Sequence, residues 1–549
     1  MARICQLDPR DNALVALEDL RAGEAVAWQD ASYTLAAAVP AKHKFATAAL
    51  AAGDPVLLYG VLVGRARHPI ARGQLLTTAN LEPAAGEFSA RRAPVPAWRP
   101  PDVAAWRDLH FFGYHRADGR VGTRNHWLVA PLVFCENRNL AELERAFQSE
   151  LGDTPPSPHR AQVARLAELY RQGRTDFHTA DLDPAPTPAP ARQPLFPHLD
   201  GVRFLAHDAG CGGTREDAES LCGLLAGYLC HPNVAGATIL SLGCQQAQVA
   251  SLRAQIHRRD PAFAKPLVII GHQAAGTVQA VMDQAVRETF AGLAEADRCR
   301  RAPAPLSALT VGLKCGGSDG FSGLSANPAL GRVSDLLVAL GGRTILAEFP
   351  ELCGVEQSLV DRCATQQAAD RFVALMRAYA ARAQAVGSSF EANPSPGNIR
   401  DGLLTDAMKS AGAARKGGTA PVAAVLDYPE PATAAGLNLL CTPGNDVECV
   451  TAQVAAGASL VLFTTGLGTP TGNPIVPVVK IATNTTLARR MPDIVDFDAG
   501  PIITGQTSIE RTADAILART VAIASGAEPA QAELLRQYDF IPWRRGVSL

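Results

Sequence analysis

The sequence lacks an excess of charge of either sign. Lys plus Arg number 51 and Asp plus Glu number 53 among 549 residues, and charged residues make up only 19%. Without a basic field, the chain has no global electrostatic attraction for nucleic acid or an anionic membrane surface. We therefore expect neither as a partner. An anionic substrate would have to be bound by local basic groups.

Long apolar runs are also missing. The N-terminus has no apolar signal core, and no segment is apolar over the length that a bilayer span requires. Both absences predict a cytoplasmic protein. The 12 cysteines are spread along the chain without a Cys-x-x-Cys pair, which argues against a disulfide scaffold or a zinc ribbon. Most are expected to be buried thiols, because free cysteine packs as a small hydrophobic side chain.

The length of the chain and changes in its residue pattern along the sequence predict several domains. Residues 1–92 contain short apolar segments separated by turn residues, which predicts a small β-rich domain. A stretch rich in proline, alanine and arginine follows, and we take residues 93–105 as a linker. From residue 106 onward, strand-like runs alternate with helix-like segments. This alternation predicts α/β layers with largely parallel sheets.

We divide the α/β part into domains 106–390 and 391–549, because a segment rich in proline and glycine begins at Glu391. Residues 153–198 hold a helix-like piece, 162–174, and then a proline-rich tract, so we predict a surface insertion there. The predicted fold class is therefore α/β. A small β-rich N-terminal domain precedes two domains with Rossmann-like sheets.

Cysteine recurs at corners that are predicted to follow strands. Ligands bind outside the carboxyl ends of parallel strands, and neighbouring glycines let the backbone approach a ligand. Taken singly, each corner is better explained as a tight turn with a buried thiol. Their recurrence favours at least one functional thiol among Cys135, Cys211, Cys244 and Cys315. Neither Gly210–Gly213 nor Gly466–Gly472 has the spacing of a nucleotide-binding loop.

Two N-terminal segments, Asp11-Asn12 and Lys42-His43-Lys44, combine polar groups suited to acid–base chemistry. The lysines could hold a carboxylate while the imidazole moves a proton near neutral pH. On spacing alone, a solvated basic turn is the preferred interpretation of the second segment.

Two further positions carry charge next to predicted strands. Arg120 and Arg124 precede a strand, and guanidinium forks suit carboxylates, although an exposed β-turn would explain them equally well. Glu348 and Glu351 follow the apolar run 344–347. Such carboxylates could bind a metal, act as a base or cap the next helix.

Taken in order along nearly the whole chain, these segments resemble the altronate/galactarate dehydratase family. The resemblance is carried by Asp11-Asn12, Lys42–Lys44, Asp118–Asn125, Gly210–Gly213, His231–Asn233, Leu242–Gln245, Lys314–Gly320, Ser325–Pro328, Glu348–Glu351, Asn393–Asn398, Thr442–Asp446 and Lys480–Asn484. Phe134–Asn139 is most similar to the subgroup usually described as altronate dehydratases. The insertion at 153–198 departs from shorter members.

The resemblance implies an N-terminal SAF (β-clip) domain and the loss of water from a sugar acid. The expected reaction converts D-altronate to 2-dehydro-3-deoxy-D-gluconate with a divalent metal, usually Fe²⁺. Removing the proton beside a carboxylate builds negative charge on its oxygens, which a metal can take up. A base removes that proton, and an acid assists the departing hydroxide.

On this basis we assign roles to individual residues. His43 is the acid or base, positioned by Asp11 and Lys44. The predicted substrate-binding residues are Arg120, Arg124, Asn12, Ser318 and Asp319. The candidate metal ligands are Cys135, Cys244, Cys315, His207 and Glu348. Fe²⁺ is the expected ion, with Mn²⁺ or another divalent metal as the alternative, and three cysteines would also allow an iron–sulfur cluster.

Several alternatives stay open at this stage. The substrate could be galactarate, giving 5-dehydro-4-deoxy-D-glucarate, or sulfolactate, from which sulfite would be eliminated. A non-catalytic sugar-acid-binding protein is a candidate of a different class, and a nicotinamide-linked oxidoreductase is a weaker one. We also expect a homodimer.

Overall fold

A computed structural model describes residues 2–94, 97–151, 158–182 and 194–546. The N-terminal part is built from short antiparallel strands, as predicted. They are β1 (Ile4–Cys5), β2 (Ala13–Ala16), β3 (Ala25–Trp28), β4 (Ala31–Thr34), β5 (Lys44–Ala46), β6 (Pro55–Leu58), β7 (Val61–Ala66) and β8 (Leu81–Glu82). They pair as β1-β2-β5, β3-β4 and β6-β7-β8 around two small apolar cores. We call this part the N-terminal unit.

The middle part alternates strands and helices. Its elements are β9 (His110–His115), β10 (Val121–Gly122), β11 (His126–Pro131), α1 (Asn137–Leu151), α2 (Pro158–Arg171), β12 (Val202–Phe204), α3 (Arg215–Cys230), β13 (Val234–Ser241), α4 (Val249–Arg259), β14 (Leu267–Gly271), α5 (His272–Ala275) and α6 (Val278–Ala296). The helix predicted at 162–174 is α2, which begins and ends earlier. The proline-rich tract of the insertion lies outside the described residues.

The C-terminal part follows the same pattern. Its elements are β15 (Arg301–Pro305), β16 (Thr310–Cys315), α7 (Ala326–Ala339), β17 (Arg343–Leu346), α8 (Glu356–Asp361), α9 (Gln366–Ala385), α10 (Pro396–Arg400), α11 (Asp406–Ala413), β18 (Val422–Leu426), β19 (Gly436–Leu440), α12 (Asp446–Ala455), β20 (Leu460–Thr465), β21 (Val478–Ala482), α13 (Thr485–Arg490), β22 (Phe497–Asp498), α14 (Ile509–Ala524) and α15 (Gln531–Leu534). Short 3-10 turns connect several of them.

Two parallel sheets dominate these parts, which confirms the predicted fold class. One has the strand order β12-β11-β13-β14 and the other β18-β19-β17-β16-β20-β21-β22. Their central strands are buried along their whole length, because helices cover both faces. A smaller antiparallel sheet, β10-β9-β15, links the two parts.

The predicted boundary at residue 390 falls inside the seven-stranded sheet. Strands β16 and β17 precede that residue, whereas β18 to β22 follow it. The segment rich in proline and glycine after Glu391 is therefore a loop and a short helix within one sheet-based unit. A division near residue 300, between the two parallel sheets, agrees better with the strand pairing.

Each parallel sheet has one point where the strand order reverses. In the larger sheet it lies between β16 and β20, and in the smaller one between β11 and β13. Crevices for ligands form outside the carboxyl ends of strands at such points. Among the described residues, none of the helices is both long enough and apolar enough to span a bilayer.

Candidate functional site

A cluster of mostly buried polar and charged side chains lies at the carboxyl edge of the seven-stranded sheet. Lys314 and Cys315 end β16, Glu348 follows β17, and Asp446 begins α12. The remaining members are Glu351, Lys409 and Lys416. We call these seven residues the lysine–carboxylate cluster.

Glu348 is held by two lysines. Lys314 donates to one carboxylate oxygen, and Lys416 donates to the other at 3.1 Å. Lys314 also pairs with Asp446 at 2.7 Å. Burial opposes the charge on Lys314, but the neighbouring carboxylates Asp446 and Glu348 raise its pKa well above the ordinary value. The ammonium groups therefore stay charged inside the protein.

Glu351 and Cys315 form the other half of the cluster. The Cys315 thiol donates to Glu351 at 3.3 Å and accepts from Lys416 at 2.7 Å, while Lys409 pairs with Glu351 at 2.8 Å. Burial raises the pKa of the Cys315 thiol to about 12, so it is protonated at neutral pH. Burial also opposes ionisation of Glu351, but Lys409 and the other lysines outweigh it and lower the pKa to about 2.

The backbone at Glu348 is strained. Its φ is +69°, in the left-handed region that residues with a side chain seldom occupy. The backbone N–H donates to the hydroxyl of Thr442 at 3.0 Å, and both carboxylate oxygens are bound by lysines. Such strain persists where surrounding contacts fix the conformation, and it is concentrated at functional sites.

Cys315, Glu348 and Glu351 form a candidate metal-binding group, since their ligand atoms lie within 4.8 Å of one another. A thiol with two carboxylates is a donor set that iron or zinc accepts. However, every one of these groups already contacts a lysine ammonium. The formal charges cancel: three lysine ammonium groups face three carboxylates. They are Lys314, Lys409 and Lys416, and Glu348, Glu351 and Asp446. In this arrangement the group does not fit a resident divalent ion.

The N-terminal unit reaches the same edge through Lys42-His43-Lys44. Lys42 donates to Asp401 at 2.7 Å and pairs with Asp319 at 3.1 Å. Lys44 is fully buried and donates to the carbonyl oxygen of Gly402 at 2.6 Å. Burial opposes the charge on Lys42, yet Asp319 and Asp401 raise its pKa. This segment therefore docks against the loops after β16 and α10.

His43 lies half-buried between these two lysines. Its Nδ1 lies 3.2 Å from the carbonyl oxygen of Ala41, which fixes Nδ1–H as the donor and leaves Nε2 with a lone pair. Burial lowers the pKa of His43 below 6.5. Burial also lowers the pKa of Lys44 to about 7. The imidazole is therefore neutral and able to accept a proton at physiological pH.

Two predicted substrate-binding residues, Ser318 and Asp319, lie beside this segment. Asp319 is fully buried and accepts from Thr483 at 2.9 Å and from Asn484 at 3.2 Å, in addition to pairing with Lys42. The Ser318 hydroxyl is buried without a hydrogen-bond partner among the described residues. A bound ligand could satisfy it.

Asp11 and Asn12 have structural contacts within the N-terminal unit. Asp11 accepts from the backbone N–H groups of Tyr59 and Gly60 at 3.1 and 2.7 Å. Asn12 accepts from the N–H of Leu57 and donates to a backbone carbonyl. Burial raises the pKa of Asp11. The contacts of both residues tie strands together, and these contacts favour a structural role.

The two predicted arginines lie away from the cluster. Arg124 is buried and forks onto Glu533 at 2.7 and 2.8 Å, so it is already paired. Arg120 pairs with Asp118 and lines a cavity of about 390 Å³ whose wall includes Thr310, the first residue of β16. That cavity opens at the amino ends of the strands. The described contacts favour structural roles for both arginines.

The other candidate metal ligands lie at the smaller sheet. His207 is buried, and both ring nitrogens are bound, to the carbonyl oxygen of Pro131 at 2.8 Å and the N–H of Ala209 at 3.2 Å. Cys135 and Cys244 are exposed in loops after β11 and β13. They therefore lie in a different group from Cys315.

Sequence reasoning missed Lys409, Lys416 and Asp401, although one signal pointed to the lysines. Only seven of the 51 basic residues are lysines, and none of the seven is exposed. Lysine is normally a surface residue. In a chain whose surface cations are mostly arginines, the few lysines are therefore candidates for buried ion pairs or for a role in the site.

Comparison with known families gives three matches along the chain. The model "Altronate/galactarate dehydratase SAF domain" matches residues 2–84. "D-galactarate dehydratase/Altronate hydrolase, second domain" matches 113–297, and "D-galactarate/Altronate dehydratase, C-terminal" matches 306–548. The first match confirms the predicted SAF domain. The gap between the second and third agrees with a division near residue 300.

Individual relatives agree with these matches. Altronate dehydratase of Escherichia coli (strain K12) is 33% identical over 90% of both chains. Altronate dehydratase of Bacillus subtilis (strain 168) is 31% identical over 96% of both. Galactarate dehydratase (L-threo-forming) of Escherichia coli (strain K12) is 28% identical over 89% of this chain and 86% of its own.

Proposed function

Because this chain belongs to the altronate/galactarate dehydratase family, and is therefore a hydro-lyase, we propose that its substrate is D-altronate and its product 2-dehydro-3-deoxy-D-gluconate. The resemblance to relatives named altronate dehydratase, at 31% and 33% identity, supports this choice. The observation that carries the proposal is that Lys42 and Lys44, on either side of His43, dock this segment against loops at the carboxyl edge of the seven-stranded sheet.

The chemistry requires a base, an acid and positive charge near the substrate carboxylate. The base takes the proton from the carbon beside the carboxylate, and the C–O bond to the neighbouring hydroxyl breaks. The acid supplies a proton, so that water leaves, and the resulting enol tautomerises to the keto acid. Negative charge that builds on the carboxylate oxygens is stabilised by fixed cations and hydrogen-bond donors.

We assign the base to Nε2 of His43, because its Nδ1 faces a carbonyl oxygen and its pKa is lowered by burial. Lys44 and Asp11 act as positioning residues, since their contacts hold the segment and the unit in place. Ser318 is the proposed donor to the substrate, because its buried hydroxyl has no partner among the described residues. Lys42 and Asp319 fix the loop that presents it.

The metal dependence implied by the resemblance is a separate proposal. Cys315, Glu348 and Glu351 are already neutralised by lysines, so none of the steps above is routed through an ion bound there. Fe²⁺ remains the expected ion, with Mn²⁺ as the alternative. The cytoplasmic location and the homodimer likewise remain predictions from the sequence.

Galactarate is the nearest alternative substrate, because a galactarate dehydratase is 28% identical over most of this chain. Sulfolactate, with elimination of sulfite, is a third substrate within the same class of chemistry. A protein that binds sugar acids without turning them over is the alternative of another class.

Parallel assays of the purified protein with D-altronate, galactarate and sulfolactate test the proposal. Keto-acid formation should be fastest with D-altronate. Faster turnover of galactarate, or release of sulfite from sulfolactate, would transfer the assignment to that acid. A rise in melting temperature with D-altronate but no keto acid from any substrate would identify a binding protein instead.

A further inference from the structure

Three cysteines are exposed in this protein, and they share one location. Free cysteine is among the most buried residue types, and the other nine cysteines are buried or half-buried. The exposed ones lie in the loops after three neighbouring parallel strands, β11, β12 and β13. They are Cys135, Cys211 and Cys244.

Backbone hydrogen bonds hold these three loops against one another. The N–H of Phe134, next to Cys135, donates to the carbonyl oxygen of Ala209 at 3.1 Å. The carbonyl oxygen of Gly210, next to Cys211, accepts from the N–H of Gln246 at 3.0 Å. The contact is close, since a Cβ on Gly210 would lie 2.1 Å from the carbonyl oxygen of Leu132. The thiols therefore belong to one packed set of loops, at the point where the strand order reverses.

A histidine completes the set from the fourth strand. His272 directly follows β14, and the next residue, Gln273, donates its N–H to the carbonyl oxygen of Leu242 at 3.0 Å. Nδ1 of His272 lies 2.7 Å from the carboxylate of Glu136, which is buried and also accepts from Asn139 at 2.6 Å. Such carboxylate–histidine pairs fix the ring tautomer and leave Nε2 as a metal ligand.

We propose that Cys135, Cys211 and Cys244 bind an iron–sulfur cluster, with His272 as its fourth ligand. Thiolates select iron–sulfur clusters, and histidine replaces cysteine in some of them. These groups are not drawn together closely enough for one ion. In the described part of the chain, the group whose ligand atoms all lie within 4.8 Å of one another is Cys315, Glu348 and Glu351, and it includes none of these four residues. A cluster of several atoms spans a wider set of thiolates than a single ion does.

This site is distinct from the lysine–carboxylate cluster, because it lies on the other parallel sheet. The inference does not rest on the proposed function. Iron and sulfide content can be measured without any substrate, so a failure of one proposal leaves the other open to its own test.

The test is the iron and acid-labile sulfide content of the full-length protein, purified without oxygen. The protein should contain both and show the broad visible absorbance of an iron–sulfur cluster. The variants Cys135→Ser, Cys211→Ser and Cys244→Ser should each lose the absorbance and most of the sulfide. Cys299→Ser is the matched control, because Cys299 is half-buried and lies outside the crevice loops. It should keep the cluster.

Two further measurements separate a lost cluster from a lost fold. Because the three cysteines are exposed, their serine variants should keep the circular dichroism spectrum of the wild type. In wild-type protein, alkylation of these three thiols should be slow before chelation and fast after it. Protein without sulfide, a single zinc ion bound instead, or cluster content unaffected by the three substitutions would each overturn the proposal.

The role of His272 as a ligand can be tested by changing Glu136, the carboxylate that contacts its imidazole. Glu136→Gln keeps the shape of the side chain but weakens its hold on the imidazole. Loss of such a partner typically lowers metal affinity by about 10-fold to 100-fold. The variant should therefore release iron to a chelator at least tenfold faster than the wild type, and an unchanged rate would remove His272 from the ligand set.

Discussion

Lys314 and Lys416 are buried in this protein because carboxylates from distant parts of the sequence neutralise them. Lys416 contacts Glu348 and the thiol of Cys315, which precede it by 68 and 101 residues. Burying a charge without a partner costs several kcal/mol, whereas a paired and hydrogen-bonded charge is tolerated. The cluster is therefore stable only when its members are all present.

Replacing Lys416 by Met should destabilise the fold by about 3 kcal/mol, because it leaves part of a buried carboxylate unpaired. Chemical denaturation of the variant and the wild type measures this difference. Arg253→Met is the control, since Arg253 is an exposed basic residue on α4, and it should change stability little. Equal stability of the Lys416 variant and the wild type would mean that the ion pairs contribute nothing net.

His43→Ala should abolish most turnover while the protein keeps its fold, because Nε2 is the proposed base. The neutral imidazole is the active form, and burial lowers its pKa below 6.5. In the wild type, kcat/KM should therefore rise with pH through a pKa that lies below 6.5 and then level off. The alanine variant should lack this limb.

His68→Ala serves as the control for His43, since His68 is an exposed histidine of the same N-terminal unit. It should keep the activity and the pH profile of the wild type. Near-normal turnover in the His43 variant would exclude this residue from the mechanism.

At the scale of elements, close backbone approaches position the segment that carries His43. The turn before β5 presents Lys42, and its carbonyl oxygen lies where a Cβ on either Gly320 or Gly402 would have to fit, 2.4 Å away in both cases. Glycine at these two positions lets the loops after β16 and α10 approach the N-terminal unit. Gly402 also has a φ of +89°.

Gly402→Ala should reduce kcat/KM strongly, because the added methyl group collides with Lys42 and displaces the segment that carries His43. Gly387→Ala is a matched control. Gly387 also has a positive φ, +74°, but a Cβ there would meet nothing within 4 Å. Both variants carry a similar backbone cost of about 1 kcal/mol. Equal activity of the two would show that the close approach does not matter.

At the scale of the whole molecule, the proposed active site depends on two parts of the chain that share one apolar cluster, in which Leu404, Ala407 and Met408 pack against the N-terminal unit. The N-terminal unit supplies Lys42 and His43, and the C-terminal part supplies Asp319 and Asp401. The middle sheet packs against the larger one through another shared apolar core. Docking of the N-terminal unit therefore determines whether the site is complete.

A double-mutant cycle with Lys42→Met and Asp401→Asn measures this docking. The pair is half-buried, so its coupling in the free energy of unfolding should be about 1 kcal/mol. The exposed pair Arg371–Glu430, also at 2.7 Å, is the comparison and should show a smaller coupling. Additive effects of the two substitutions would mean that the ion pair does not fasten the unit.

The sequence predicted the architecture well where the signal was local. Short strands punctuated by turns, and alternating strands and helices, are patterns that backbone preferences and burial impose on neighbouring residues. All four predicted cysteine corners do end or follow parallel strands. The expectation of a buried thiol holds for Cys315, whereas Cys135, Cys211 and Cys244 are exposed.

The division near residue 300 and the partners of the charged groups could not be predicted in the same way. Strand order in a parallel sheet is set by crossovers between distant segments, so a local break rich in proline need not mark a domain boundary. Arg124 illustrates the same problem, since the carboxylate that pairs with it, Glu533, is 409 residues away.

By itself, therefore, the sequence determined the fold class, the SAF domain and the family, because these depend on the pattern and order of residues along the chain. Only the tertiary structure decided which charges meet. It placed Lys314, Lys409 and Lys416 on Glu348 and Glu351, and Lys42 on Asp319. The physical reason is that electrostatic pairing acts through space between groups whose separation along the chain carries no signal.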